Sequence, residues 1–328
     1  METHLKKIST YLLDQGLFDI TAVEQQILDN RNIGGRDEVK SDDGIFNADS
    51  PAPDIVGLEN WINSDGYTSL TELRGKVVLI DFWTYSCINC IRTLPHIREL
   101  HEKYADDGLI IIGIHAPEFA FEHKIKNVKN AALEYGLTYP IVQDNNFETW
   151  RSFENHYWPA KYLIDKDGQL RYYHFGEGAY DKTERAITAL LGLEMKKSDV
   201  EIENREKDVQ TAETYLGSKR AENFAGFDNQ NLEINQWTVS KNWEQGYESI
   251  SSSDLPATLE MQFHAAEANL VLDGNATAEI FIDGVIYKSI TINGPKLYNV
   301  FKENDYKDHS IKIEFSKAHV EAFAWTFG

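Results

Sequence analysis

Residues 77–100 read VVLIDFWTYSCINCIRTLPHIREL. Apart from Asp81, the run Val77–Trp83 is apolar and rich in β-branched and aromatic residues, the pattern of a buried strand. Thr84-Tyr85-Ser86 makes a short turn, and apolar residues then recur at helical spacing. Ser86 suits a helix N-cap, which would put Cys87 in the first helical turn and Cys90 three positions on, along the same side. Two sulfurs at that spacing can close a small disulfide. A helix N-terminus also favours an anion, and a free thiol of pKa about 8.5 falls to roughly 3.5–7.5 in such settings. Cys87 is therefore expected to be the attacking thiolate, and Cys90, set deeper, the thiol that resolves the mixed disulfide.

A CxxC taken alone serves equally as half a zinc site or as a structural disulfide. Structural zinc takes four Cys or His ligands. Cys87 and Cys90 are the only 2 cysteines in 328 residues, and no clustered HxxxH accompanies them. No metal, nucleotide or organic cofactor is implied.

Working outward, strand-like runs alternate with helical ones: KVVLIDFW, a helix over 87–105, LIIIGIH, a helix near 119–135, YPIVQD, AKYLID, RYYHFG and a helix over 181–191. That alternation predicts an α/β domain over 47–193, a mixed sheet flanked by helices. Residues 1–46 read as a helical segment, with a Thr21/Glu24 capping box and a stop at Gly34-Gly35. Residues 194–210 are charged and read as a linker. From 211 to 328 short alternating runs such as LEMQFHA, NLVLDG, AEIFIDG and HSIKIEF predict a β-sandwich, with hairpin turns at Asp273-Gly274 and Asp283-Gly284.

Composition narrows the function. The net charge of -21, from 53 acidic against 32 basic residues, opposes phosphate neutralisation, so nucleic acid and anionic membranes are not expected partners. No stretch of about 18 apolar residues offers a membrane span, and the N-terminus shows no signal-like apolar core. On that reading the expected compartment is the cytoplasm as the sequence stands, or an extracytoplasmic one if an export segment has been removed.

The segment DFWTYSCINC resembles the active-site strand and helix of the thioredoxin superfamily. FWTYSCINC, the HxPE pattern at 115–118 and YWPAKYLID at 157–165 are similar to the soluble part of the DipZ family, a resemblance that continues through TAETYLG and FSKAHVEAFAWTFG. It implies a thioredoxin-like fold, a carbohydrate-binding-module-like jelly roll after it, and a thiol-disulfide oxidoreductase acting on protein disulfides or dithiols. DipZ relatives are tethered to a membrane domain that supplies electrons; this sequence shows none, so a separate electron donor is expected. Asp81 matches the buried carboxylate that exchanges protons with the resolving thiol, and Glu118 a second carboxylate near the cysteines. Pro95 matches the proline of the active-site helix. Pro159, after Trp158, matches a cis-proline at which a substrate chain pairs, with Trp83 beside it.

Departures from the family leave the redox direction open: Ser86 stands where tryptophan is common, and Ile88-Asn89 lie between the cysteines. His115 reads as a structural hydrogen-bonder, and His96 and His101 as solvent-facing. Two rival functions are carried forward. A peroxiredoxin-like peroxidase is suggested by Thr84, three before Cys87, although Ile80 fills the position that family gives to proline. A sugar-binding sandwich is suggested by Trp237, Trp243, Tyr247 and Trp325, although the alternation of Phe323, Trp325 and Phe327 equally suits a core face.

Overall fold

The computed structural model describes residues 45–197 and 209–328. The expected N-terminal helices, and all but the ends of the expected linker, lie outside the described residues. Two compact units result, one built mainly of 45–197 and the other mainly of 209–328.

The first unit is a seven-stranded mixed sheet. Its strands are β1 (Ser50–Pro51), β2 (Glu59–Ile62), β3 (Val77–Trp83), β4 (Leu109–His115), β5 (Ile141–Gln143), β6 (Ala160–Ile164) and β7 (Gln169–Phe175), in the order β1-β7-β6-β3-β4-β5-β2. β3 lies in the middle with every residue buried, which is why its sequence runs apolar without alternation. β3 and β4 pair in parallel, so a crossover must join them. That crossover is helix α1 (Ile88–Tyr104), which buries Cys90, Leu94, Ile97, Leu100 and Tyr104 along one stripe against β4. Each such Leu or Ile contributes about 1.5–3 kcal/mol by leaving water.

Helices α2 (Ile125–Glu134), α3 (Glu148–Ser152) and α4 (Tyr180–Leu191) complete the unit. Asp144 starts α3 by accepting the backbone N–H groups of Glu148 at 2.8 Å and Trp150 at 2.7 Å. The helix expected near 119–135 is divided: Ala120–His123 forms a 3-10 turn and Lys124 turns extended before α2 begins. The cause is Glu122, whose side chain turns inward to accept backbone N–H groups of its own turn. β1 and β2 carried no sequence signal, being short edge strands without alternation.

The second unit is a ten-stranded sheet system running from β8 (Thr214–Tyr215) to β17 (Glu321–Phe327). Two runs expected as separate strands, 259–265 and 269–274, are one strand, β13 (Ala257–Asp273), because HAAEA between them holds no turn residue. The Asp283-Gly284 hairpin forms between β14 (Asn275–Ile282) and β15 (Val285–Asn293), with both turn residues at positive φ, 51° and 80°. Asp273-Gly274 is not a hairpin. β16 (Lys296–Phe315) lies between β13 and β14, so the chain turns a corner there instead of folding back.

The aromatic platform expected for sugar is not assembled. Trp237, Trp243 and Trp325 are 1%, 4% and 0% exposed and belong to the core, leaving Tyr247 alone at the surface. β17 is buried along most of its length because it is paired on both sides, by β12 (Ile250–Ser252) and β13.

His309 ties the β14–β15 turn to β16. Its Nδ1 lies 2.9 Å from Asp283 and its Nε2 2.7 Å from Glu303, with Phe301 and Phe263 around the ring. Replacing His309 by Ala opens a cavity and removes two hydrogen bonds, so urea denaturation should show a loss of about 2–3 kcal/mol. A change under about 0.5 kcal/mol, the usual effect at a surface site, would show that the turn holds without it.

Candidate active site

β3 delivers the chain to the site and α1 carries it away. Cys87, not Ser86, is the N-cap of α1: its φ and ψ are −81° and 119°, and its Sγ accepts the Cys90 N–H at 3.3 Å. Sulfur thus occupies the place where free helix N–H groups and the helix dipole converge. Ser86 is drawn away because its hydroxyl donates to Glu122 at 2.6 Å.

Cys87 is half-exposed, Cys90 is 1% exposed, and both are free thiols. Burial pushes the Cys90 thiol well above its ordinary value, and its hydrogen bond to Cys87 and the nearby Asp81 carboxyl add to the rise. Cys90 therefore needs a base to ionise. Asp81, 1% exposed on β3, lies within electrostatic reach, its carboxyl pushed up to about 7 by burial against the opposing pull of Lys161.

The second carboxylate brought to the site is Glu122, four residues beyond the expected Glu118. Its Oε1 accepts the hydroxyls of Thr84 at 2.5 Å and Ser86 at 2.6 Å, with the Ser86 N–H at 3.3 Å. Its Oε2 accepts the N–H groups of Glu118 at 2.6 Å and Phe119 at 3.0 Å. One fully buried carboxylate so pins the loop before Cys87 to the turn after β4. Burial pushes Glu122 up to about 7, although the Ser86 and Thr84 hydroxyls favour its charge. Glu118 is half-buried and serves Glu122 through its backbone. The sequence signal for Glu122 is FAFE at 119–122, an acid closing an apolar run.

His115 is fully buried between Trp83 and Tyr85, and burial pushes it down to about 3, so the ring is neutral. Its Nε2 lies 3.3 Å from the Thr84 oxygen.

The Trp158–Pro159 bond is cis. Trp158 is half-buried, its Nε1 donating to the Ala116 carbonyl at 3.1 Å and its ring 4.4 Å from that of Trp150. Trp83 departs from expectation: it is 0% exposed, since it closes the buried strand, and has no surface to offer a substrate. His96 and His101, expected to face solvent, do not: His96 is buried and His101 half-buried, because both rings pack on tyrosines. His96 stacks on Tyr180 at 3.7 Å, and His101 meets the edge of Tyr139 at 6.0 Å. Pro95 lies within α1, on its exposed side. Among the described residues no group of three or more His, Cys, Asp or Glu is placed to hold a metal ion.

Residues 211–328 match the family described as thioredoxin like C-terminal domain, and residues 49–173 match the AhpC/TSA family. The chain is 34% identical to protein DipZ of Mycobacterium tuberculosis over 352 residues, which cover 96% of this chain and 50% of that protein. It therefore spans about half the length of that relative. Thiol-disulfide oxidoreductase YkuV of Bacillus subtilis is 33% identical over 142 residues, covering 43% of this chain and 94% of YkuV. Thiol-disulfide oxidoreductase ResA of Bacillus thuringiensis is 32% identical over 115 residues, covering 35% of this chain and 64% of ResA. With a match to nearly all of YkuV, and with the cysteine pair at the start of α1 above a buried aspartate, the chain belongs to the thioredoxin-like thiol-disulfide oxidoreductases.

Proposed function

We propose that the protein exchanges disulfides with protein substrates through a mixed disulfide at Cys87. The observation that carries this is the asymmetry of the pair: a half-exposed sulfur capping α1, and three residues on a buried thiol beside Asp81. Cys87 as thiolate attacks a substrate disulfide, forming one S–S bond while the first substrate sulfur leaves. Asp81 then takes the Cys90 proton, and Cys90 attacks the Cys87 sulfur to release the second substrate sulfur. The substrate chain lies along Trp158 and Pro159. An electron donor returns the Cys87–Cys90 disulfide to the dithiol.

Peroxide reduction is disfavoured, because Thr84 is fully buried and its hydroxyl proton is committed to Glu122. Stopped-flow mixing of the reduced protein with a disulfide-bonded peptide and, separately, with hydrogen peroxide compares the two. The disulfide should oxidise the pair quickly while peroxide reacts no faster than with a free thiol. The opposite order would sink this reading.

A further inference from the structure

Asp81 belongs to a row of directly opposed residues crossing four strands: Gly113 on β4, Asp81 on β3, Lys161 on β6 and His174 on β7. Opposed residues share one face of a sheet, and in an antiparallel pair their Cβ atoms lie roughly 4.5–5.5 Å apart. Asp81 and Lys161 are each 1% exposed. Among the described residues neither Asp81 Oδ1 nor Lys161 Nζ has a hydrogen-bond partner.

Burying an ammonium without such a partner is costly, and apolar packing does not call for one. The β4 side gives Asp81 nothing to pair with: Gly113 has no side chain, and a Cβ there would lie 3.0 Å from the Tyr139 ring and 3.2 Å from Trp83 Nε1. The β6 side supplies the cation. Besides Asp81, the groups that face Lys161 are Cys90 and His96 on α1, His174 on β7 and Glu177 beyond it. Those facing Asp81 are Cys90, Tyr139 and Lys161.

We propose that Lys161 is a positioning residue for the exchange: its ammonium sets the charge on Asp81 and, through it, the pH at which Cys90 gives up its proton. The inference rests on the exchange proposed above. In the step concerned, the Cys90 S–H proton passes to the Asp81 carboxylate. The Cys90 sulfur then bonds to Cys87 Sγ, the bond from Cys87 to the substrate sulfur breaks, and the substrate leaves as a thiolate that takes a proton from water. Two cysteine thiols have then been oxidised and one substrate disulfide reduced. Lys161 forms no bond in the step. With the ammonium present, Asp81 is a carboxylate, and so a base, at lower pH than it would otherwise be.

Lys161→Met in the full chain removes the charge and keeps most of the volume. The midpoint of the pH profile for substrate release should rise by roughly one unit, the size of shift an adjacent opposite charge produces, and release near pH 7 should slow up to about tenfold. Lys161→Arg should keep the parent midpoint. In an Asp81→Asn background Lys161→Met should have no further effect. A purely structural role would move none of these, and an unmoved midpoint, or the same shift in both backgrounds, overturns the proposal. The carboxyl ¹³C titration of Asp81 reads the coupling without substrate: a higher midpoint in Lys161→Met supports it and an equal one overturns it. That readout separates the two ideas, since a chain that shows the coupling but exchanges no disulfide removes only the function proposed above. If the methionine chain does not fold, Lys161→Gln carries the same comparisons.

Discussion

Cys90→Ser will hold substrate proteins in a covalent mixed disulfide, and Cys87→Ser will capture none. The asymmetry follows from access. Cys87 is half-exposed at the start of α1, and Cys90 is 1% exposed behind it, so only the first sulfur can meet a substrate disulfide. Serine at position 87 supplies a hydroxyl in place of a thiolate, and exchange should fall by at least about three orders of magnitude, as when a nucleophile is removed elsewhere. Serine at position 90 leaves the first attack intact and removes the second, so the complex accumulates. Non-reducing gel electrophoresis after acid quenching distinguishes the variants. Capture by Cys87→Ser, or equal capture by both, would reverse the assignment of the two sulfurs.

Glu122→Ala will cost about 4 kcal/mol of stability. The change removes the acceptor of the Thr84 and Ser86 hydroxyls, both in a dry interior. An unsatisfied buried donor costs about 1–3 kcal/mol, and neighbouring losses do not add in full. Exchange should fall as well, by roughly ten- to a hundredfold, because the loop that aims Cys87 is released. Urea denaturation near pH 6 measures the first effect, and a loss below about 1 kcal/mol would show that the loop is held by other contacts.

The pH dependence of stability has a definite sign. Burial raises Glu122 from 4.5 and Asp81 from 3.8, each to about 7. Both groups therefore bind protons more tightly in the folded state. The stability they contribute is complete below their unfolded values and is lost as pH rises through about 7. Asp81→Asn, which cannot ionise, should flatten that decline between about pH 5 and 8, as read from denaturation midpoints across the range. A decline as steep as in the parent chain would mean that Asp81 does not titrate there.

The redox pair, the central strand and the helix after it were legible in residues 77–100 because each is local. A strand buried on both faces shows as an unbroken apolar run, and a helix shows its buried stripe at a period of 3.6 residues. Position within a few residues was harder. Ser86 and Cys87 both suit an N-cap, and the choice fell to Glu122, a residue 36 positions away that claims the Ser86 hydroxyl. Glu118 and Glu122 could be ranked only by knowing which of them turns inward. Trp83, expected beside the substrate, is in the core, where it pairs with His115 of β4 and meets the edge of its ring.

The amino-acid order alone determined the α/β unit followed by a β-rich one, the paired sulfurs and the proline after Trp158, since these depend on spacing along the chain. The tertiary structure alone decided what surrounds the sulfurs. Sheet pairing places Lys161 opposite Asp81 across 80 residues of sequence, and the folded turn brings Glu122 beneath the loop before Cys87. Burial and charge are properties of assembled neighbours, and no periodicity in a single chain segment encodes them.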